Sequence, residues 1–405
     1  MKRIIFIQNQ KLSFINCVVC IMLMMACDEV EKGQYAIDNI PPGQVSNVIV
    51  ENLQGGAVIT YTVPDDEDLL YVKVVYQMSD GTQVEQKSSA YGSRIVVEGL
   101  GRAQKQTVQL ICGDRNSNES APYPVNIEPL DAPIYEIFKT IKLQEDYGGI
   151  SLTWDNPLKA NIVLNLYVLD EYNLFSEVEN VYTATSEGKY SLRGFPTEEA
   201  TFAVSLRDRW NNKTDMISGT FIPLFEEKLN RLLFTRWNPS GIPYQQYGSY
   251  PIENFWNGIT TTEVGYSCDT TQTIPHSITF NLGQAAKLNR IKLWQRTNTN
   301  SAVTAYNIGN LKKFQLWGSP NPNVSADFDT WLFLGEFTSF KPSGLPIGQI
   351  TDEDLAYAQA GEDYIIQENR DEPIQYIRIH ILELWGGGTT TAQMAEIEFY
   401  GAILY

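Results

Sequence analysis

Residues 55–64 read GGAVITYTVP and residues 148–157 read GGISLTWDNP, an offset of 93. The register persists along the chain. RIVVEGL (94–100) answers KYSLRGF (189–195), GDRNSNES (113–120) answers RDRWNNKT (207–214), and EPL (128–130) answers IPL (222–224). A coincidence would not hold an offset of 93–95 across a whole domain length, so the chain contains two copies of one unit of about 90 residues. This constrains the fold more than any other feature, because each copy must close its own core within that length.

Both copies read as strands. YVKVVY (71–76) and IVLNLYVL (162–169) are rich in β-branched and aromatic residues, and TVQLIC (107–112) and TFAVSL (201–206) alternate apolar with polar positions. Pro64-Asp65-Asp66, Ser79-Asp80-Gly81 and Asn156-Pro157 punctuate them as turns. Short strands at this spacing predict an immunoglobulin-like sandwich. The apolar-Thr-[Tyr/Trp] strand followed by Pro resembles fibronectin type III modules, with Tyr61 and Trp154 at the core tryptophan position. The pairs Asp114-Arg115 and Asp208-Arg209 read as turn salt bridges.

The remaining chain is again strand-rich: HSITFNLG (276–283), LNRIKLWQR (288–296), KKFQLWGS (312–319), TWLFLGEF (330–337), PIQYIRIHIL (373–382) and AEIEFYG (395–401). One short helix is expected at 351–360, where Thr351 and Asp354 can form a capping box. The whole is therefore all-β. The segments quoted, closed by Tyr376-Ile377-Arg378-Ile379-His380 and Ala395–Gly401, resemble a discoidin (F5/8 type C, galactose-binding-like) domain, a jelly-roll sandwich. The insertion KPSG (341–344) with TDED (351–354) resembles a variant found in Bacteroidota surface lipoproteins. There two sandwich domains of unknown function precede it, in proteins of polysaccharide-utilisation loci. The expected layout is a signal peptide (1–26), an acidic and Pro-rich linker (27–43), fibronectin-III-like domains at 44–131 and 132–226, and a discoidin-like domain at 227–405.

Lys2, Arg3 and Lys11 precede the apolar run 15–26, which is short for a bilayer span and suits a secretory signal. Cys17 and Cys20 lie inside that run and leave with it. Met24-Met25-Ala26-Cys27 resembles a lipobox, with Met24 where Leu is usual, and implies acylation of Cys27. Asp28, Glu29 and Glu31 then read either as a surface-export signal or as a solvated linker. The resemblance implies an outer-membrane protein, lipid-anchored and facing the exterior, beside a transporter complex. Cys112 and Cys268 form no disulfide framework, a bridge between them staying open. The net charge of −18, about −21 once residues 1–26 are removed, repels phosphate backbones and argues against nucleic acid.

The resemblance implies glycan capture without catalysis, the rival being a scaffold for a protein complex. Sugar recognition needs an aromatic face and fixed polar groups. Candidates are Trp256, Tyr244, Tyr247 and Tyr250 in the opening segment, Trp385 before three glycines, and Arg296 as a donor; core packing is the competing reading for each aromatic. Discoidin-like domains often hold a structural calcium ion, which here implies Asn257, Thr262 and Glu396, with Asn257 standing where Asp is expected. The competing reading is a hydrogen-bonded loop capped by Glu396. No other cofactor is called for. Only His276 and His380 exist, and no G-x-S-x-G, H-E-x-x-H or P-loop pattern occurs. A carboxylate pair for glycoside cleavage is the one enzymatic option that spacing alone leaves open.

Overall fold

A computed structural model of the chain describes residues 39–260, 265–297 and 304–404. It divides into two compact units, one ending at Asp131 and one running from Ala132 to Tyr405. The signal segment and Cys27 lie outside the described residues.

In the first unit β1 (Ser46–Leu53), β2 (Gly56–Thr62) and β5 (Arg94–Glu98) form one antiparallel sheet. β4 (Gln83–Ser89), β3 (Leu69–Gln77), β6 (Gln106–Asp114) and β7 (Tyr123–Ile127) form the other, in that order. Period-2 alternation sends Ile59, Tyr61, Val72, Val74, Val108 and Leu110 into the space between the sheets.

The second repeat has the same topology. β8 (Lys142–Asp146), β9 (Gly149–Asp155) and β12 (Glu187–Arg193) face β11 (Phe175–Thr183), β10 (Ile162–Leu169), β13 (Ala200–Arg207) and β14 (Ile217–Phe221). Trp154 is core, as is Tyr61. Gly188 lies directly opposite Trp154, and a Cβ there would meet the indole Cζ2 at 2.0 Å. The repeat extends to single hydrogen bonds. Asp114 Oδ1 accepts from the N–H groups of Asn116 (2.9 Å) and Asn118 (2.8 Å), and Asp208 Oδ1 accepts from those of Trp210 and Asn212 (2.9 Å each). These carboxylates pin their turns by accepting from backbone N–H groups. The one-turn helix α1 (Pro133–Phe138), which opens the second repeat with Pro133 in its first turn, was not expected from the pattern. Six residues are too few to display a helical period.

The C-terminal sandwich is built on β18 (His276–Trp294), which the sequence pattern split into two strands. It bends at Gly283 (φ +69°), where a Cβ would lie 2.1 Å from the Leu233 carbonyl oxygen. The first half pairs with β22 (Pro373–Leu384) and with β16 (Thr235–Arg236). The second half pairs with β24 (Glu396–Ile403) and β21 (Glu362–Ile365). β19 (Leu311–Ser319) and β20 (Leu332–Thr338) extend one layer, and β15 (Glu227–Lys228) the other. Ile278, Phe280, Phe314, Ile379, Ile397 and Phe399 fill the interior. Each such side chain contributes about 1.5–3 kcal/mol by leaving water. The short strands β17 (Tyr266–Ser267) and β23 (Gln393–Met394) pair at one end.

The insertion folds around two buried charges. Lys341 Nζ donates to the carbonyls of Leu345 (2.9 Å), Pro346 (3.2 Å) and Gln349. Asp354 accepts from Ser343 N–H (2.8 Å) and Thr351 N–H (2.9 Å), completing the expected capping box of α2 (Asp352–Ala360). The KPSG and TDED motifs thus have structural roles.

An alternating charge chain ties the second repeat to the C-terminal sandwich within one unit. Asp146 bonds Arg193 (3.2 Å), Arg193 reaches Asp363 (3.4 Å), and Asp363 and Glu226 both bond the buried Arg290 (2.7 and 2.6 Å).

Candidate functional site

At the β17/β23 end of the C-terminal sandwich, residues 247–250 make a turn, with Tyr250 N–H donating to the Tyr247 carbonyl (2.9 Å). Tyr247 N–H donates to the Ser267 carbonyl (2.8 Å), which fixes the turn on β17. With the turn held on both sides, the rings of Tyr247 and Tyr250 stack, their centroids 6.3 Å apart and their planes 24° from parallel. Tyr247 remains 49 % exposed. The Arg296 guanidinium lies 4.8 Å over the Tyr250 ring and donates to Gln393 Oε1 (2.8 Å). Buried Asn310 sets that arginine: its Oδ1 accepts from Arg296 N–H (2.8 Å) and its Nδ2 donates to the Arg296 carbonyl (3.1 Å). The same Asn310 carbonyl accepts from Trp385 N–H (2.9 Å). The arrangement offers an aromatic pair flanked by a guanidinium and an amide, the chemistry a pyranose face and its hydroxyls require.

Three of the six expected binding residues, Tyr247, Tyr250 and Arg296, therefore come together. Tyr244 and Trp256 do not join them. Tyr244 is buried edge-on against Tyr266, and burial pushes its hydroxyl pKa well up. Trp256 is core, packed against Phe280 (5.1 Å) and Phe234 (6.1 Å). Trp385 is half-buried, edge-on to Tyr306 at 5.1 Å, and packs on the small cluster of Ala305, Tyr306 and Ala358. The glycines beside it supply no packing, but distant chain does. Gln393 and Asn310 are the residues that sequence reasoning missed; nothing local marks a glutamine in a two-residue strand.

Glu396 is fully buried in the C-terminal sandwich. Its Oε2 accepts from Gly258 N–H (2.7 Å), and burial raises its pKa to about 7. Asn257 Oδ1 is turned back on Ile259 N–H (2.8 Å), and Arg231 Nη1 donates to the Trp256 carbonyl (3.1 Å). Thr262 lies outside the described residues. Calcium takes six to eight oxygens. Of the expected set, the described residues place one carboxylate, Glu396, beside this loop, and the Trp256 carbonyl is already engaged by the Arg231 guanidinium. Among the described residues no group of three or more His, Cys, Asp or Glu could hold a metal.

One pair resembles a nucleophile and its base: Ser277 Oγ lies 3.0 Å from His380 Nδ1. Arg378 Nε donates to that same Oγ (2.9 Å), and Phe328, not a carboxylate, packs on the imidazole at 5.5 Å. The desolvated Arg378, its pKa lowered to about 10, also holds the carbonyls of Ala326 and Asp327. Arg378 thus clamps the 320–331 loop, with Ser277 Oγ as one of its acceptors, and the described contacts of the imidazole include no orienting carboxylate of the kind a triad uses. His276 is half-buried, and desolvation lowers its pKa to about 4. Cys112 and Cys268 are free thiols, each buried in the core around it.

Three family models match the chain, each described as a domain of unknown function: DUF4959 over residues 42–129, DUF5126 over 130–232 and DUF5000 over 256–401. No curated protein matches. Among solved structures, a SusE-like protein is 27% identical over 66% of this chain and 98% of its own, at a TM-score of 0.43. The family 32 CBM from C. perfringens NanJ in complex with galactose is 17% identical over 43% of this chain and 98% of its own, at a TM-score of 0.30. A two fibronectin type-III domain segment from chicken tenascin is 12% identical over 44% of this chain and 99% of its own, at a TM-score of 0.22.

Proposed function

We propose that this is a non-catalytic surface lipoprotein that binds carbohydrate through the Tyr247–Tyr250–Arg296–Gln393 surface. The observation that carries the reading is the near-parallel tyrosine pair held open beside a guanidinium already bonded to an amide. Tyr244, three residues before Tyr247, is by contrast buried in the core. Anchoring through acylated Cys27 on the outer face of the outer membrane would present this surface to polysaccharide, and a transporter complex would receive what is captured. Several acyl chains hold such an anchor, since each buried CH₂ contributes about 0.8 kcal/mol. A glycan array probed with the chain, using host and plant polysaccharides, tests the binding; no retained sugar across both classes would refute it.

One observation favours a protein-interaction role for the second repeat. Its β10–β11 hairpin exposes Tyr172 (74 %), Leu174 (64 %) and Tyr182 (65 %). Tyr172 and Leu174 lie in its turn and Tyr182 in β11, whereas the equivalent hairpin of the first repeat carries Ser79-Asp80-Gly81 in its turn and the polar QVEQKSS in β4. The same scaffold position is solvated in one copy and apolar in the other, as expected where only one copy meets a partner. Cross-linking in native membranes decides between the readings: a stoichiometric protein adduct that persists without glycan favours the scaffold.

A further inference from the structure

We infer that the Arg231 guanidinium takes the place of a metal ion in the loop around Trp256–Gly258 and Glu396, so that the C-terminal sandwich keeps this loop folded without calcium. Arg231 opens a single 3-10 turn, Arg231–Leu233, whose start is fixed by Asn230 accepting from Leu232 N–H (3.1 Å). From there its side chain reaches the Trp256 carbonyl (3.1 Å), a hard oxygen of the kind calcium would claim. The guanidinium lies flat against Gly258: a Cβ at that position would fall 2.5 Å from Nη2 and 2.7 Å from Cζ. Gly258 also has φ +84°, so two independent constraints require glycine. Its N–H in turn holds Glu396 Oε2 at 2.7 Å. The loop, the arginine and the buried acid are therefore one connected cluster.

Charge decides between the two cations. A divalent ion with two carboxylates is neutral, and so is one guanidinium with one carboxylate. This chain has Asn257 where a second acid would stand, and Asn257 Oδ1 is committed to Ile259 N–H at 2.8 Å. Adding a divalent ion to Glu396 and Arg231 would leave a net charge of two beside a fully buried carboxylate, where like charges repel more strongly than in water. Glu396 Oε1 has no hydrogen-bond partner among the described residues, so this oxygen is open to a cation. The nearby guanidinium supplies that oxygen with charge instead of a bond.

The test is thermal unfolding of the full chain, followed by tryptophan fluorescence in EDTA and in millimolar calcium chloride, with calorimetric titration of calcium alongside. The wild type should unfold at the same temperature in both buffers and give no binding heat. Arg231→Met should lower the midpoint by about 5 °C, whereas Arg231→Lys, which keeps the charge, should lose less. The double variant Asn257→Asp, Arg231→Met should become calcium-responsive, its midpoint rising with the concentration of the ion. Stoichiometric calcium binding that raises the wild-type midpoint would overturn the inference. So would an Arg231→Met protein that melts with the wild type, or a double variant indifferent to calcium. If Arg231→Met does not fold, the wild-type titration and Arg231→Lys still decide.

Discussion

Replacing Arg290 by Met should destabilise the second unit far more than loss of a surface ion pair. The guanidinium is 3 % exposed and bonds Glu226 through two nitrogens, at 2.8 and 2.6 Å. It also bonds Asp363 at 2.7 Å and lies 3.4 Å over the Tyr400 ring. Glu226 is itself buried, whereas Asp363 is 28 % exposed and keeps Arg193. Methionine fills much of the arginine stem but leaves Glu226 as an uncompensated buried charge. Removing one partner from a buried pair costs about 3–5 kcal/mol, against roughly 0.2–1 kcal/mol for an exposed pair. With a urea slope near 3 kcal/mol/M, a loss of about 4 kcal/mol moves the midpoint down by roughly 1.3 M. The assay is selective, because Trp154, Trp210, Trp237, Trp256, Trp294, Trp317, Trp331 and Trp385 account for all 8 tryptophans and lie after Asp131. Indole fluorescence therefore reports the second unit alone. Adding Glu226→Gln should return part of the loss by removing the stranded charge. A single variant that loses less than about 1 kcal/mol would show that solvent screens the pair, and the coupling of repeat to sandwich would need another explanation.

Further perturbations test other joints. Burial raises the Glu362 carboxyl to about 7, while Phe340 N–H and Tyr364 OH bond its oxygens. A raised folded-state pKa means the native state holds a proton that the unfolded chain releases near 4.5. Its contribution is full below that value and is lost as pH rises through about 7, up to about 3 kcal/mol; Glu362→Gln should flatten this share of the slope in urea titrations between those limits. Gly188→Ala should cost about 2–3 kcal/mol by overpacking Trp154, read as a lower unfolding midpoint in urea. Cys27→Ala should move the protein from the membrane fraction to the soluble fraction, and unchanged retention would refute acylation there.

Much of the fold was legible because a repeat and period-2 alternation are local signals. The offset near 93 placed the paired strands, and Thr351 with Asp354 announced the helix start. The continuity of β18 was not legible, because Gly283 and the turn after it read as a loop until the Leu233 carbonyl shows why the strand bends there. At the site, the segment 237–256 declared an aromatic cluster without sorting it. Tyr244 and Tyr247 are three residues apart; one meets Tyr266 in the core and the other the solvent, and only tertiary packing separates them. Trp385 was misjudged for the same reason: its partner Tyr306 is distant in sequence. The fusion of the second repeat to the C-terminal sandwich rests on Arg193, Glu226, Arg290 and Asp363, which no local pattern connects.

The central claim is that Tyr247 and Tyr250 form a sugar-binding face. Affinity electrophoresis of the full chain in gels cast with individual host or plant polysaccharides tests it most directly, comparing wild type with the Tyr247→Ala, Tyr250→Ala double variant. Losing two rings at about 0.5–1.5 kcal/mol each should weaken retardation roughly five- to 160-fold, and the urea midpoint measured alongside separates lost binding from lost folding. Retardation that is equal in the two proteins, or absent from the wild type in every gel, would contradict the account.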